Sequence, residues 1–152
     1  MTAPKQLPRG IRRNNPGNIK ELPGDKTQWQ GERATDDDPV FEEFTTAQMG
    51  IRALAVILRT YQRRHDIRTV RRIIGRWAPP LGDTGKAENN TSAYINAVVK
   101  STGFAPDQLL DLNMFDHMLP LVKAIIQHEN GQQPYDDKTL TEGLAAAGIV
   151  KI

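Results

Sequence analysis

The sequence predicts a mainly α (α+β) single domain, helical throughout except for a small β or irregular region near residues 18–45. Three observations predict it. Apolar residues recur at three- and four-residue spacing in several separate stretches, the period of helices that bury one face. Between residues 21 and 44, Pro23, Gly24, Gly31 and Pro39 interrupt any such period, and Trp29, Phe41 and Phe44 are left as apolar anchors. The chain has 152 residues, 38% hydrophobic and 25% charged, enough for one buried core and too apolar for a disordered polymer.

Residues 1–8 contain two prolines and read as a loose arm, with one domain over 9–152. In RGIRRNNPGNIK, residues 9–20, the run Asn14, Asn15, Pro16, Gly17, Asn18 is a tight turn. Thr45 with Gln48 makes a capping box for a helix reaching about Arg64, with Ile51, Leu54, Leu58 and Tyr61 inward. Thr69 caps a second helix with Val70, Ile73, Ile74 and Trp77 inward, ended by Ala78-Pro79-Pro80. Thr91 caps a third, with Tyr94, Ile95, Val98 and Val99 buried and Gly103 closing it. Pro106 starts a short helix holding Leu109 and Leu110, and Thr139 with Glu142 boxes a last helix ending at Gly148.

The stretch from Phe115 to Tyr135 carries the chemistry. Met118, Leu121, Val122, Ile125 and Ile126 form one helical stripe, and Glu129 falls back on it eleven residues after Met118. Gly131 stops the helix there, and Pro120 must lie in its first turn or kink it. A carboxylate in the last turn meets the negative end of the helix dipole and apolar neighbours, a setting that suits a general acid. The alternative is a boundary Glu that reaches water or pairs with an arginine.

Composition excludes several classes. Cysteine is absent, so no thiol nucleophile, disulfide framework or thiolate metal site exists. The three histidines lack HxxxH spacing, so no metal or other cofactor is expected. No apolar run is long enough to span a membrane, and the N-terminus lacks the apolar core of a secretory signal. Seven arginines and one aspartate lie between Arg59 and Arg76, but net charge is only +2 and no aromatics interleave, so a nucleic-acid partner is not expected.

The phrases NNPGNIK, FEEF and the following amphipathic helix, set beside AIIQHENGQ, resemble the lysozyme-like peptidoglycan glycosidases, glucosaminidases especially. In that family a helix ending in the catalytic Glu precedes an N-N-x-x-G-I-K phrase, an F-x-x-[FY] pair and a helix. Here the Glu-bearing helix stands last, so the chain resembles a circular permutation, a rearrangement that neighbouring termini make cheap. RGIRxNNPGNI, GIRAL, RWAPP, ENNTxxY and HENGQxPY also resemble phage and prophage proteins described as virion structural proteins or as lytic enzymes. Asn130 departs from the glycosidases, which often have Ser or Thr there, and Arg13 interrupts the Asn run.

The resemblance implies cleavage of peptidoglycan glycan strands, by a lytic transglycosylase or by a muramidase or glucosaminidase, with Glu129 as general acid/base. A transglycosylase needs one carboxylate; a hydrolase usually wants a second. Glu88, in the ENNT phrase, is the first candidate, with Asp36, Asp37, Asp38 and Glu42 as others. Asn14, Asn15, Asn18, Asn90, Tyr94 and Gln132 are the implied substrate-binding or cleft-shaping residues; an Asn side chain offers both a donor and an acceptor. Trp77 is a further stacking candidate, although core packing explains it. The competing expectation is a non-enzymatic virion or wall-binding protein with the same fold. The implied partners are glycan strands and other virion proteins. The implied route is synthesis in the bacterial cytoplasm and action in the periplasm or cell wall, or carriage in a virion.

Overall fold

The computed structural model describes residues 7–20, 28–34, 40–80 and 89–151. Six helices follow in order: α1 (Arg9–Arg12), α2 (Ala47–His65), α3 (Val70–Trp77), α4 (Thr91–Thr102), α5 (Phe115–Asn130) and α6 (Asp137–Ala146). The fold is mainly helical, and none of the described helices is long and apolar enough to cross a membrane. The expected arm lies almost wholly outside the described residues; of it, Leu7 is exposed and Pro8 is the N-cap of α1.

α5 is the organising element. Met118, Leu121, Val122, Ile125 and Ile126 are fully buried, as their spacing requires. α5 packs against α1, α2, α4 and α6, while α2 packs against α6 and α3 against α4. Gly143 lets α6 approach α2 closely, since a Cβ there would stand 2.6 Å from Ile51 Cγ2. A small satellite cluster of Ile19, Phe44 and Ala53 lies beside the main core, and Trp77 packs against both. Between residues 18 and 45 the described β structure is two isolated antiparallel bridges, Lys20 with Phe41 and Glu32 with Phe44.

Several helix starts differ from the sequence expectation, each for a local reason. The α2 cap is Thr46, whose hydroxyl accepts from the Met49 amide at 3.2 Å; Gln48 turns instead toward Glu142 of α6. Asn90, one residue earlier than expected, caps α4 by accepting from Ala93 N–H, and Thr91 donates to the Ala78 carbonyl. α6 begins three residues early because Asp136 accepts from Thr139 N–H at 2.8 Å. Thr69 caps α3 and Gly103, at φ 78°, closes α4, both as the sequence implies. Arg9–Arg12, to which the sequence assigns no element, form one helical turn before the Asn-rich turn.

One expectation fails more fully. No helix follows Pro106. The segment is a turn at Pro106 and Asp107 followed by irregular chain beside the start of α3, where Arg71 N–H donates to the Pro106 carbonyl and Leu110 N–H to the Arg68 carbonyl. Leu110 and Leu112 are buried while Leu109 is 70% exposed, so the adjacent leucines share no helix face. Pro120 sits beyond the first turn of α5, so the Asp116 carbonyl has no ladder donor there.

Candidate functional site

The site forms where the Asn-rich turn meets the end of α5. Asn14 and Asn18 both take the left-handed conformation, at φ 53° and 52°, which Asn tolerates better than most side chains. Asn15 is fully buried and pins the turn from within. Its Nδ2 donates to the Ile19 and Glu42 carbonyls at 2.9 and 3.0 Å, and its Oδ1 accepts from Ile19 N–H. Asn14 Nδ2 donates to the Phe44 carbonyl. Both side-chain amides donate to backbone carbonyls around the turn.

Two glycines let the turn dock. A Cβ on Gly50 would lie 1.8 Å from the Asn14 carbonyl oxygen, so the turn rests directly on the backbone of α2. A Cβ on Gly10 would lie 2.5 Å from Asn130 Oδ1 and 2.7 Å from Asn18 Oδ1. Asn130 then clamps the helix end to the turn: its Nδ2 donates to the Pro16 carbonyl at 2.8 Å and to the Ile126 carbonyl at 2.9 Å. Its buried Oδ1 has no hydrogen-bond donor among the described residues and faces the Gly10 backbone.

Glu129 sits half-buried at this junction, and both its carboxylate oxygens are engaged. Asn18 Nδ2 donates to Oε1 at 3.0 Å across 111 residues of chain. The Tyr94 hydroxyl donates to Oε2 at 2.9 Å. Among the described residues no arginine pairs with Glu129. The Trp77 indole lies close to the Tyr94 hydroxyl and lowers its pKa a little.

Tyr94 is 3% exposed, and its ring stacks on His128 with centroids 3.7 Å apart. Burial first, then the Glu129 charge and the bond to it, push the Tyr94 hydroxyl far above the ordinary tyrosine range; the nearby Trp77 indole counters only in part. The Tyr94 hydroxyl therefore stays protonated and serves Glu129 as a hydrogen-bond donor, and its buried ring is not an open sugar platform. Trp77 is half-buried core, as its apolar neighbours require.

The remaining candidates separate clearly. Asn90 is exposed and spends its side chain capping α4, one turn before Tyr94. Gln132 is exposed just past α5 and free to meet a ligand by position. Glu88, Asp36, Asp37 and Asp38 lie outside the described residues. Glu42 is buried, its N–H donating to the Ile19 carbonyl next to Asn18. Glu43 is 1% exposed and paired with Arg13 at 3.0 Å, which gives Arg13 a role within the turn.

The chain is 43% identical over 136 residues to Protein P5 of Pseudoalteromonas phage PM2, a match covering 89% of this chain and 79% of that protein. It belongs to the family of that phage protein. No family model matches it.

Proposed function

We propose that the protein cleaves peptidoglycan glycan strands with Glu129 as general acid/base, as a circularly permuted lysozyme-like domain associated with a phage virion. One observation carries the reading: the NNPGN turn and the Glu129 helix end, at opposite ends of the sequence, meet and share hydrogen bonds through Asn18. The family resemblance, taken from the residues alone, requires that juxtaposition for a permuted cleft. The Glu129 carboxyl is held from two sides and half-buried, so its orientation is set before substrate arrives. Tyr94 can accept as well as donate, so its bond survives a proton on Oε2, whereas the Asn18 amide only donates into Oε1. A proton delivered to a glycosidic oxygen would thus be carried on Oε2 and replaced there. A transglycosylase needs no more acid–base equipment than this; a hydrolase would add a second carboxylate, with Glu88 the sequence candidate.

A specific observation favours the competing reading, a non-enzymatic virion structural or wall-binding protein. Both Glu129 oxygens already have protein partners, as a purely structural carboxylate would. Digestion of purified sacculi separates the two. The enzymatic reading expects soluble muropeptides, whose anhydro, reducing N-acetylmuramic acid or reducing N-acetylglucosamine ends name the bond and the reaction by mass spectrometry. Binding to sacculi with no released product supports the structural reading instead.

A further inference from the structure

A second site stands at the other end of α5. A cavity of about 430 Å³ is lined by Arg59, Gln62, Arg63, Asp66, Arg68 and Asn113. Asn113 precedes α5 and Glu129 lies in its last turn, so a helix length of roughly 24 Å separates the two sites. Three guanidiniums against one carboxylate leave the lining positive. Asp111 lies behind Gln62 and is held ionised chiefly by the Asn113 N–H, with help from Gln62 and Arg68.

The donors are held in place by the protein. Arg59 donates through Nη1 to the Ala147 carbonyl, and Arg68 through Nε to the Leu110 carbonyl at 2.9 Å. Gln62 is fixed at both ends of its amide, donating to Asp111 Oδ1 at 3.1 Å and accepting from Leu112 N–H at 2.7 Å. Each anchored guanidinium uses one of five N–H donors and keeps the others for a ligand. Their ordering cost is met on folding, which favours later binding. Arg63 is exposed at the rim. No aromatic ring lines the cavity, so nothing there would stack on a base or sugar face. Forked, fixed guanidiniums without a stacking surface match an oxyanion.

We propose that this cavity binds a phosphate group, carried by a small phosphorylated ligand or by the backbone of a nucleic-acid duplex. The proposal does not rest on Glu129 and stands or falls separately from glycan cleavage. Titration calorimetry of the full chain with pyrophosphate at low ionic strength tests it, using wild type, Arg63→Gln and Arg12→Gln. Arg12 lies on α1, away from the cavity, with its Nε on the Leu7 carbonyl. The expected result is one saturable site, weakened about tenfold or more by Arg63→Gln and untouched by Arg12→Gln. A thermal midpoint shared by all three proteins excludes misfolding as the cause. Absence of a saturable site in wild type, or equal weakening in both variants, overturns the proposal. A short DNA duplex then identifies the source. Duplex binding that pyrophosphate displaces points to the phosphodiester backbone, with affinity falling steeply as salt rises. Pyrophosphate binding without duplex binding points to a small ligand. Duplex binding that pyrophosphate leaves unchanged, with no pyrophosphate site, removes the cavity from the account.

Discussion

At Glu129 the side chain differs from the isolated acid that the helix stripe implies. The stripe places it correctly beside the core, but the sequence around α5 contains no trace of its two donors. Asn18 and Tyr94 reach it from distant parts of the chain, and their roles depend on tertiary contact. Removing the Tyr94 hydroxyl should show which role matters. Tyr94→Phe leaves Glu129 Oε2 without that partner, at a stability cost of about 1–3 kcal/mol. If Glu129 delivers the proton, the variant should also lose roughly tenfold or more in sacculus lysis at a temperature where it stays folded. Wild-type lysis from a destabilised Tyr94→Phe would restrict the hydroxyl to a structural role. The hydroxyls of Tyr61, Tyr94 and Tyr135 are all raised from the ordinary value of 10.0, in each case chiefly by burial. The native state therefore holds these protons more tightly than the unfolded chain. The associated stability is fully present below about pH 10 and is lost as pH rises toward the folded values. Ultraviolet titration should show tyrosines ionising at higher pH in the folded protein than in the unfolded chain; ionisation at the unfolded value or below it would contradict the shift.

Helices with strong apolar periods were legible in the sequence because burial alone specifies them. α2, α3, α4 and α5 fall within a few residues of their expected ranges. Their starts were less legible, because Thr45 and Thr46, or Asn90 and Thr91, are chemically equivalent caps until the neighbouring helices choose one. The segment after Pro106 departs from the expected helix because two adjacent leucines do not reveal whether the chain is helical or irregular. The docking glycines stand within the RGIR and GIRAL phrases, where sequence alone assigns them no role. Their signal is a small residue beside a polar turn, which gains meaning only when the opposing backbone is known. Gly10→Ala tests this contact. The added methyl group must displace Asn130 and Asn18, so the variant should lose about 1–3 kcal/mol and move Asn18 away from Glu129. Chemical denaturation measures the first effect and sacculus lysis the second. A variant as stable and as active as wild type would mean that the turn and helix end are not tightly coupled.

Across the whole molecule, one helix connects two regions of different chemistry. Its C-terminal end holds a carboxyl between neutral donors, and its N-terminal end borders a cationic cavity. Separation along α5 means that variants at one end should leave the other intact, which makes glycan cleavage and phosphate binding independently testable. The mainly helical fold was readable from composition and period. The meeting of the Asn turn with the α5 end was readable only through family resemblance, because more than one hundred residues separate them. Membership in the Protein P5 family places the chain among phage proteins. The central claim is that Glu129 is an acid rather than a structural carboxylate. Glu129→Gln keeps the shape and one oxygen acceptor but cannot deliver a proton. Thermal midpoint and sacculus lysis, measured on the same preparation of this variant, test the claim most directly. The account predicts a midpoint close to wild type with lysis abolished; an earlier melting transition with lysis at the wild-type rate would contradict it.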